Sequence, residues 1–281
     1  MQWLLEPFQL EFMQRALVAG LLVAVTTSLV GTWVVMRGLA FMGDALAHGV
    51  VPGIAVAFLL DVNPMVGAAA AAVVMIAAIS LIHRTTKLSE DTAIGLLFVG
   101  MLALGVIIIS RSGSFAVDVV AILFGDVLGT TTGDLILNGA VGIVVLVSVV
   151  VLYRPLLALS FNEAKAEVLG LAPRWTHLVM LGLVTLAIVT SFRTVGALLV
   201  FGLLVAPPAT AALVTRRVPA MMVVAAVLGM LSVVAGLVVS FHLDTAGGAT
   251  MSFVAVALFF VVLAVRTVAR TASDQAAVTR T

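Results

Sequence analysis

Gly43-Asp44-Ala45-Leu46-Ala47-His48 sets a carboxylate and an imidazole four residues apart in a chain that is otherwise almost all hydrocarbon. On a helix that spacing stacks both side chains on one face. Of the 281 residues, 63% are hydrophobic and 10% are charged, against about 25% charged in a soluble domain. A soluble core cannot hide so much apolar surface, so the solvent is lipid and the fold class is an all-α, polytopic membrane bundle. An acid and a histidine in such surroundings are solvated by each other, by water in a cavity, or by a cation. The third case makes the cation a cargo.

Working outward from this stretch, a helix needs about 20 apolar residues to cross a bilayer. Candidate spans are 15–36, 44–60, 64–82, 93–110, 134–153, 175–191, 195–214, 219–240 and 250–268. The expectation is eight or nine crossings, the second being the least regular because it begins on Asp44. One transmembrane domain then covers residues 1–270, and Thr271–Thr281 reads as a polar, disordered tail on the cytoplasmic side. Glu6 and Glu11 with no basic n-region do not read as a cleaved signal peptide.

With loop 154–174 inside, the inner loops hold Arg37, Arg84, Lys87, Arg154, Lys165, Arg174, Arg216, Arg217, Arg266, Arg270 and Arg280. The outer side holds Arg15, Arg111 and Arg193. This asymmetry places the N-terminus outside and the C-terminus inside. It also places Glu6, Glu11, Asp61, Asp118, Asp126, Asp134 and Asp244 at the outer mouth, where acids raise the local concentration of cations. The alternative is a plain solvated surface. Net charge is +1, which gives no case for nucleic acid.

Several stretches carry structure rather than chemistry. The run Gly67-Ala68-Ala69-Ala70-Ala71-Ala72 lets helix backbones approach closely. Residues 115–128 are too short to span and read as a re-entrant or interfacial outer helix, bearing Asp118 and Asp126, that serves as a gate or a lid. Pro207-Pro208 kinks or breaks the span around it. In loop 154–174, Phe161-Asn162-Glu163-Ala164-Lys165-Ala166-Glu167-Val168-Leu169 reads as a short amphipathic helix stopped by Gly170 and Pro173, with Phe161, Ala164, Val168 and Leu169 on one side. Such a helix rests on lipid or docks a cytoplasmic partner.

The chain has no cysteine, so metal ligands come from His, Asp and Glu. Asp44 has a bland alternative as the N-cap of a helix starting at Ala45, paired with His48 one turn on. Against it, Pro52-Gly53 interrupts a helix beside the pair, and intramembrane ionisable residues mark functional sites. One carboxylate and one imidazole are too few for a divalent ion. A two-fold dimer with its pathway on the axis supplies two of each, a set suited to zinc or manganese and poor for copper(I). His83 and His177 read as interfacial groups at cytoplasmic helix ends. His242 and Asp244 read as a solvated outer loop or an entry pair.

The stretch Val34-Val35-Met36-Arg37-Gly38-Leu39-Ala40-Phe41-Met42-Gly43-Asp44-Ala45-Leu46-Ala47-His48, running on to Pro52-Gly53, resembles the permease subunits of bacterial ABC importers for zinc and manganese, the ABC-3 type. Two further stretches carry the resemblance: Leu123-Phe124-Gly125-Asp126-Val127-Leu128-Gly129, and residues 195–211, from Val195-Gly196-Ala197 to Ala206-Pro207-Pro208-Ala209. The family usually has serine at Ala47, alanine at Pro208, and a proline in the loop Leu243–Gly248. The resemblance implies a type II importer fold and two permeases forming the pore. It also implies two cytoplasmic ATPases that hold the ATP, an extracytoplasmic metal-binding protein that delivers Mn2+ or Zn2+, and a bacterial inner-membrane location. It implies that Asp44 and His48 line the metal pathway and that residues 161–170 form the coupling helix. No cofactor or catalytic residue is implied on this chain. A P-loop needs a Gly-Lys pair, and the two lysines follow Thr86 and Ala164.

Other classes make different demands. An ion-coupled secondary transporter with Asp44 as coupling site shows inverted repeats, and none is evident. A permease for iron chelates or cobalamin needs a wider path and no ligand pair on its wall. A purely structural membrane subunit leaves Asp44 and His48 unexplained.

Overall fold

The computed structural model describes residues 6–110, 127, 129–161 and 163–278. After a single 3-10 turn at Pro7–Gln9, the described residues form twelve α-helices. They are α1 (Glu11–Met36), α2 (Ala40–Gly49), α3 (Val51–Leu59), α4 (Pro64–Thr85), α5 (Glu90–Ser110), α6 (Thr132–Val151), α7 (Tyr153–Phe161), α8 (Glu163–Val168), α9 (Pro173–Val195), α10 (Ala197–Val214), α11 (Val218–Leu243) and α12 (Gly247–Val278). Eight apolar stretches are long enough to cross a membrane, with α2 and α3 together making the second. A shorter apolar helix at Val200–Val214 is the candidate ninth. The chain is a multi-pass membrane protein.

α1 is the axis of the bundle. It packs on α6, α9, α10 and α11, and its small residues let them come close. A Cβ at Gly20 would stand 2.7 Å from Val233, and one at Gly229 would stand 3.0 Å from the Ser28 hydroxyl. The hydroxyls inside α1 are satisfied, while the buried Trp33 indole N–H has no hydrogen-bond partner among the described residues. Thr26, Thr27 and Thr32 each donate to the carbonyl four residues back at 2.8 Å, and Ser28 donates to Ala225 O on α11 at 3.1 Å.

The expected Gly-Ala packing run lies on α4 and faces α3. Gly53 and Gly67 oppose each other so closely that a Cβ on either would stand 2.1 Å from the other's carbonyl oxygen. Asn63 starts α4, its side chain accepting from Met65 N at 2.9 Å, with Pro64 behind it. Ala68, Ala71 and Ala72 are buried on the same helix.

α10 runs as one helix through Pro207-Pro208. Neither proline has an N–H, so the carbonyls of Leu203 and Leu204 lose the donors that a regular helix would return to them. The Leu204 oxygen lies against α1 at Gly31, where a Cβ would stand 1.9 Å away. The chain breaks its helices instead between α2 and α3, at Val50. There Pro52 has no N–H to return to the His48 carbonyl.

The outer-mouth acids do not share one environment. Asp134 is buried and closes a capping box with Thr131 at the start of α6, so it serves that helix end. Glu11 pairs with Arg15 one turn on. Asp61 and Asp244 occupy left-handed positions that follow α3 and α11. The short outer helix expected at 115–128, with Asp118 and Asp126, lies outside the described residues apart from Val127. α12 continues to Val278, so helix covers most of the segment expected as a polar tail.

Candidate metal site

α2 carries both predicted ligands, and its start is set by a tight turn. α1 ends in a Schellman motif: Gly38 N donates to Val35 O at 3.1 Å and Leu39 N to Val34 O at 3.0 Å. Gly38 takes the left-handed conformation this motif requires, with φ at +70°. α2 then begins at Ala40. Asp44 therefore lies inside the helix, and the alternative in which it caps a helix starting at Ala45 does not hold.

Asp44 Oδ1 and His48 Nε2 are 3.5 Å apart. That is longer than a charge-assisted hydrogen bond, so neither group consumes the other's lone pairs. Their side chains are 27% and 14% exposed, whereas Met42, Ala45, Leu46 and Ala47 are at 1% or less. α2 thus has one partly open strip, and Phe41, Asp44 and His48 occupy it. Met42, Gly43, Ala45, Leu46, Ala47 and Gly49 are buried, and Ala40 at the start of the helix is partly open.

Three neighbours hold that strip in place. Gly43 rests on Leu204 and Phe201 of α10, and a Cβ there would stand 2.6 Å from Leu204. Gly49 admits the Met75 sulfur of α4, which a Cβ would meet at 2.1 Å. Phe98 of α5 stands edge-on to His48, with centroids 5.4 Å apart and planes at 71°. It meets Phe41 in the same way at 5.8 Å and 65°. Asp44 lies between these two aromatic contacts along the helix. Phe41 was legible in sequence as the residue three before Asp44. Phe98 was not, because it reaches the site from a separate helix.

Among the described residues, no third His, Cys, Asp or Glu joins Asp44 and His48. One copy therefore brings together two candidate ligands, partly exposed, at this position. Asp244 stands at the end of α11 and does not join the pair. His242 stacks edge-on against Phe241, 5.3 Å between centroids. His177, read as an interfacial group, has its Nδ1 2.6 Å from an Arg37 guanidinium nitrogen.

The predicted docking segment forms two pieces, α7 ending at Phe161 and α8 spanning Glu163–Val168. Asn162 lies outside the described residues. Phe161, Val168 and Leu169 are 76%, 89% and 69% exposed, while Ala166 is buried at 1%. Gly170 stops the helix in a second left-handed turn, donating to Glu167 O, with Leu171 N donating to Ala166 O. Phe161, Val168 and Leu169 are thus exposed while Ala166 packs inward.

Comparison with known proteins agrees with this architecture. The sequence profile described as the ABC 3 transport family matches residues 9–266. The manganese transport system membrane protein MntC of Halalkalibacterium halodurans is 36% identical over 249 residues, covering 89% of this chain and 85% of that protein. A probable iron transport system membrane protein of Haemophilus influenzae is 33% identical over 262 residues, covering 93% and 96%. The solved structure of PsaBC from Streptococcus pneumoniae in complex with Fab superposes with a TM-score of 0.83 at 30% identity, over 92% of this chain and 94% of that one. With a profile spanning nearly its whole length, relatives above 30% identity and the same bundle of apolar helices, the chain belongs to the ABC 3 transport family of membrane permeases.

Proposed function

We propose that this permease is the membrane-spanning subunit of an ATP-driven importer that carries a divalent transition metal, manganese foremost, across the bacterial inner membrane into the cytoplasm. Two copies face each other across a two-fold axis, and the metal passes between them. The observation that carries this reading is the open strip on α2: the carboxylate and imidazole are partly exposed on a helix whose Met42, Ala45, Leu46 and Ala47 are buried. A buried structural pair would be closed by its own fold. This pair is held ready at a surface.

Each copy supplies one oxygen donor and one nitrogen donor. Two copies give a mixed N/O set, which suits Mn2+, Fe2+ and Zn2+ and is poor for copper(I). A transport site binds incompletely so that the ion can leave, and four protein ligands with water completing the shell meet that need. The names of the relatives, manganese in MntC and iron in the Haemophilus protein, supply the order of candidates. Zinc shares the same ligand chemistry.

The exposed Phe161, Val168 and Leu169 form the coupling surface for a cytoplasmic ATPase, together with Glu163 and Glu167. An extracytoplasmic binding protein delivers the ion to the opposite side. ATP is bound and hydrolysed on the ATPase, and this chain takes no part in that chemistry.

The test is Mn2+ uptake by the assembled transporter in proteoliposomes. Asp44→Ala or His48→Ala abolishes uptake while the complex still assembles. Uptake at the native rate in both variants would remove the site. Adding Fe2+ or Zn2+ as competitor ranks the cargo. For the docking surface, changing Glu163 and Glu167 to Lys uncouples ATP hydrolysis from uptake, and unchanged coupling would remove that assignment.

A further inference from the structure

Arg37 ends α1 and His177 lies on the second turn of α9, 140 residues away in sequence. Their side chains meet at 2.6 Å. Arginine carries donors alone, so in this contact the guanidinium donates and Nδ1 of His177 accepts. The contact adds a polar tie at the ends of α1 and α9, which also pack on each other through apolar side chains, as α9 does on α2. On one side, Arg37 is followed directly by the Gly38 turn and then by α2 with Asp44 and His48. On the other, His177 follows Thr176, whose hydroxyl reaches back to Leu171 O at 3.1 Å and Ala172 O at 3.2 Å. Leu171 N in turn holds Ala166 O of α8 at 3.0 Å.

A continuous set of short contacts therefore runs from the 161–170 segment to the ligand helix. α8 is fastened to the linker, the linker to the first turns of α9, α9 to Arg37, and Arg37 through a two-bond turn to α2. The linker is stiff: Ala172 is held at φ +43° and Pro173 follows. Thr176 is 5% exposed, so its bonds are shielded from competing water.

We infer that the Arg37–His177 hydrogen bond is a positioning link, beside the direct packing of α9 on α2, that carries a displacement of the 161–170 segment to the helix bearing Asp44 and His48. This rests on the metal-site reading given above, and it adds two residues that touch neither metal nor ATPase. Coupling between sites travels through contiguous contacts whose energetic linkage must be measured directly. A double-mutant cycle on this bond does so.

The experiment uses the complete transporter, permease with its ATPase, in proteoliposomes with Mn2+. Two quantities are read: Mn2+ ions imported per ATP hydrolysed, and Mn2+ bound in the absence of ATP. His177→Leu and Arg37→Met each lower the ratio roughly tenfold, within the usual span of coupling factors. ATP-independent Mn2+ binding stays at the native level. The double variant falls no further than either single one, and His177→Gln, which keeps an acceptor, recovers most of the ratio. Arg37→Met reaches the bond from the opposite side, so failure of one variant to assemble leaves the test standing. An unchanged ratio in the single variants, losses that multiply in the double variant, or a Gln variant as poor as Leu overturns the inference. Failure of the metal-site reading shows separately, as ATP-independent Mn2+ binding that survives Asp44→Ala.

Discussion

The ring of Phe98 stands edge-on to the imidazole of His48, 5.4 Å between centroids, and touches Phe41 in the same way. A residue of α5 thus packs against the candidate ligand His48 on α2. Phe41 and His48, on either side of Asp44 along the helix, both meet this one aromatic side chain, which on the proposed reading preorganises the donor atoms.

Removing that ring loosens His48. An aromatic pair contributes about 0.5–1.5 kcal/mol beyond its buried area, equivalent to roughly a two- to tenfold change in binding. Phe98→Leu therefore raises the KM for Mn2+ uptake several-fold with little change in the maximal rate, and Phe98→Tyr stays close to native. Initial-rate measurements against Mn2+ concentration separate the two. A fall in maximal rate at constant KM would assign Phe98 to a moving part instead of to ligand positioning.

The Gly53–Gly67 contact sets the packing of α3 on α4, immediately after the ligand helix. Alanine is a better helix former than glycine by about 1 kcal/mol, so Gly→Ala should stabilise an open helical site. Gly182, with nothing near its missing Cβ, follows that rule, and Gly182→Ala raises the melting temperature in detergent. Gly67→Ala does the opposite, because its Cβ would stand 2.1 Å from the Gly53 oxygen. Overpacking of this kind costs about 1–3 kcal/mol. Equal melting shifts for the two variants would show that the helices separate without cost.

Pro208 is dispensable for the fold. Pro208→Ala returns an N–H to the Leu204 carbonyl and removes a penalty of up to about 3 kcal/mol for proline inside a helix. The variant melts higher than the native protein. Gly31→Ala melts lower, since its Cβ would stand 1.9 Å from that same oxygen. A Pro208→Ala variant that melts lower would show that α1 depends on the freed carbonyl.

Composition and hydropathy were enough to read a membrane bundle, because lipid leaves few other ways to satisfy the backbone. The Asp44–His48 pair was legible for a related reason: paired charges in an apolar sequence stand out, and spacing alone places them on one face. Where helices break was harder. Pro207-Pro208 looks like the break, yet α10 continues through it because Gly31 gives the Leu204 carbonyl a place to lie. The actual interruption at Val50 needs only Pro52 and a tight packing partner. Asp134 read as an outer-mouth acid, but it serves the Thr131 capping box. Phe98 and the Arg37–His177 bond left no local trace, since each depends on helices far apart in sequence meeting in space. Position along the chain revealed the Asp44–His48 pair and concealed what packs against it.

The account turns on whether the half-sites of two copies close around one ion. Electron spin echo modulation of Mn2+ bound to the assembled transporter measures this directly, because nitrogen ligands modulate the echo and oxygen ligands do not. The account predicts imidazole nitrogen modulation in the native complex, from two rings per ion, and its loss in His48→Gln. Modulation that persists unchanged in His48→Gln, or a native complex that binds Mn2+ with no nitrogen signal, would contradict it.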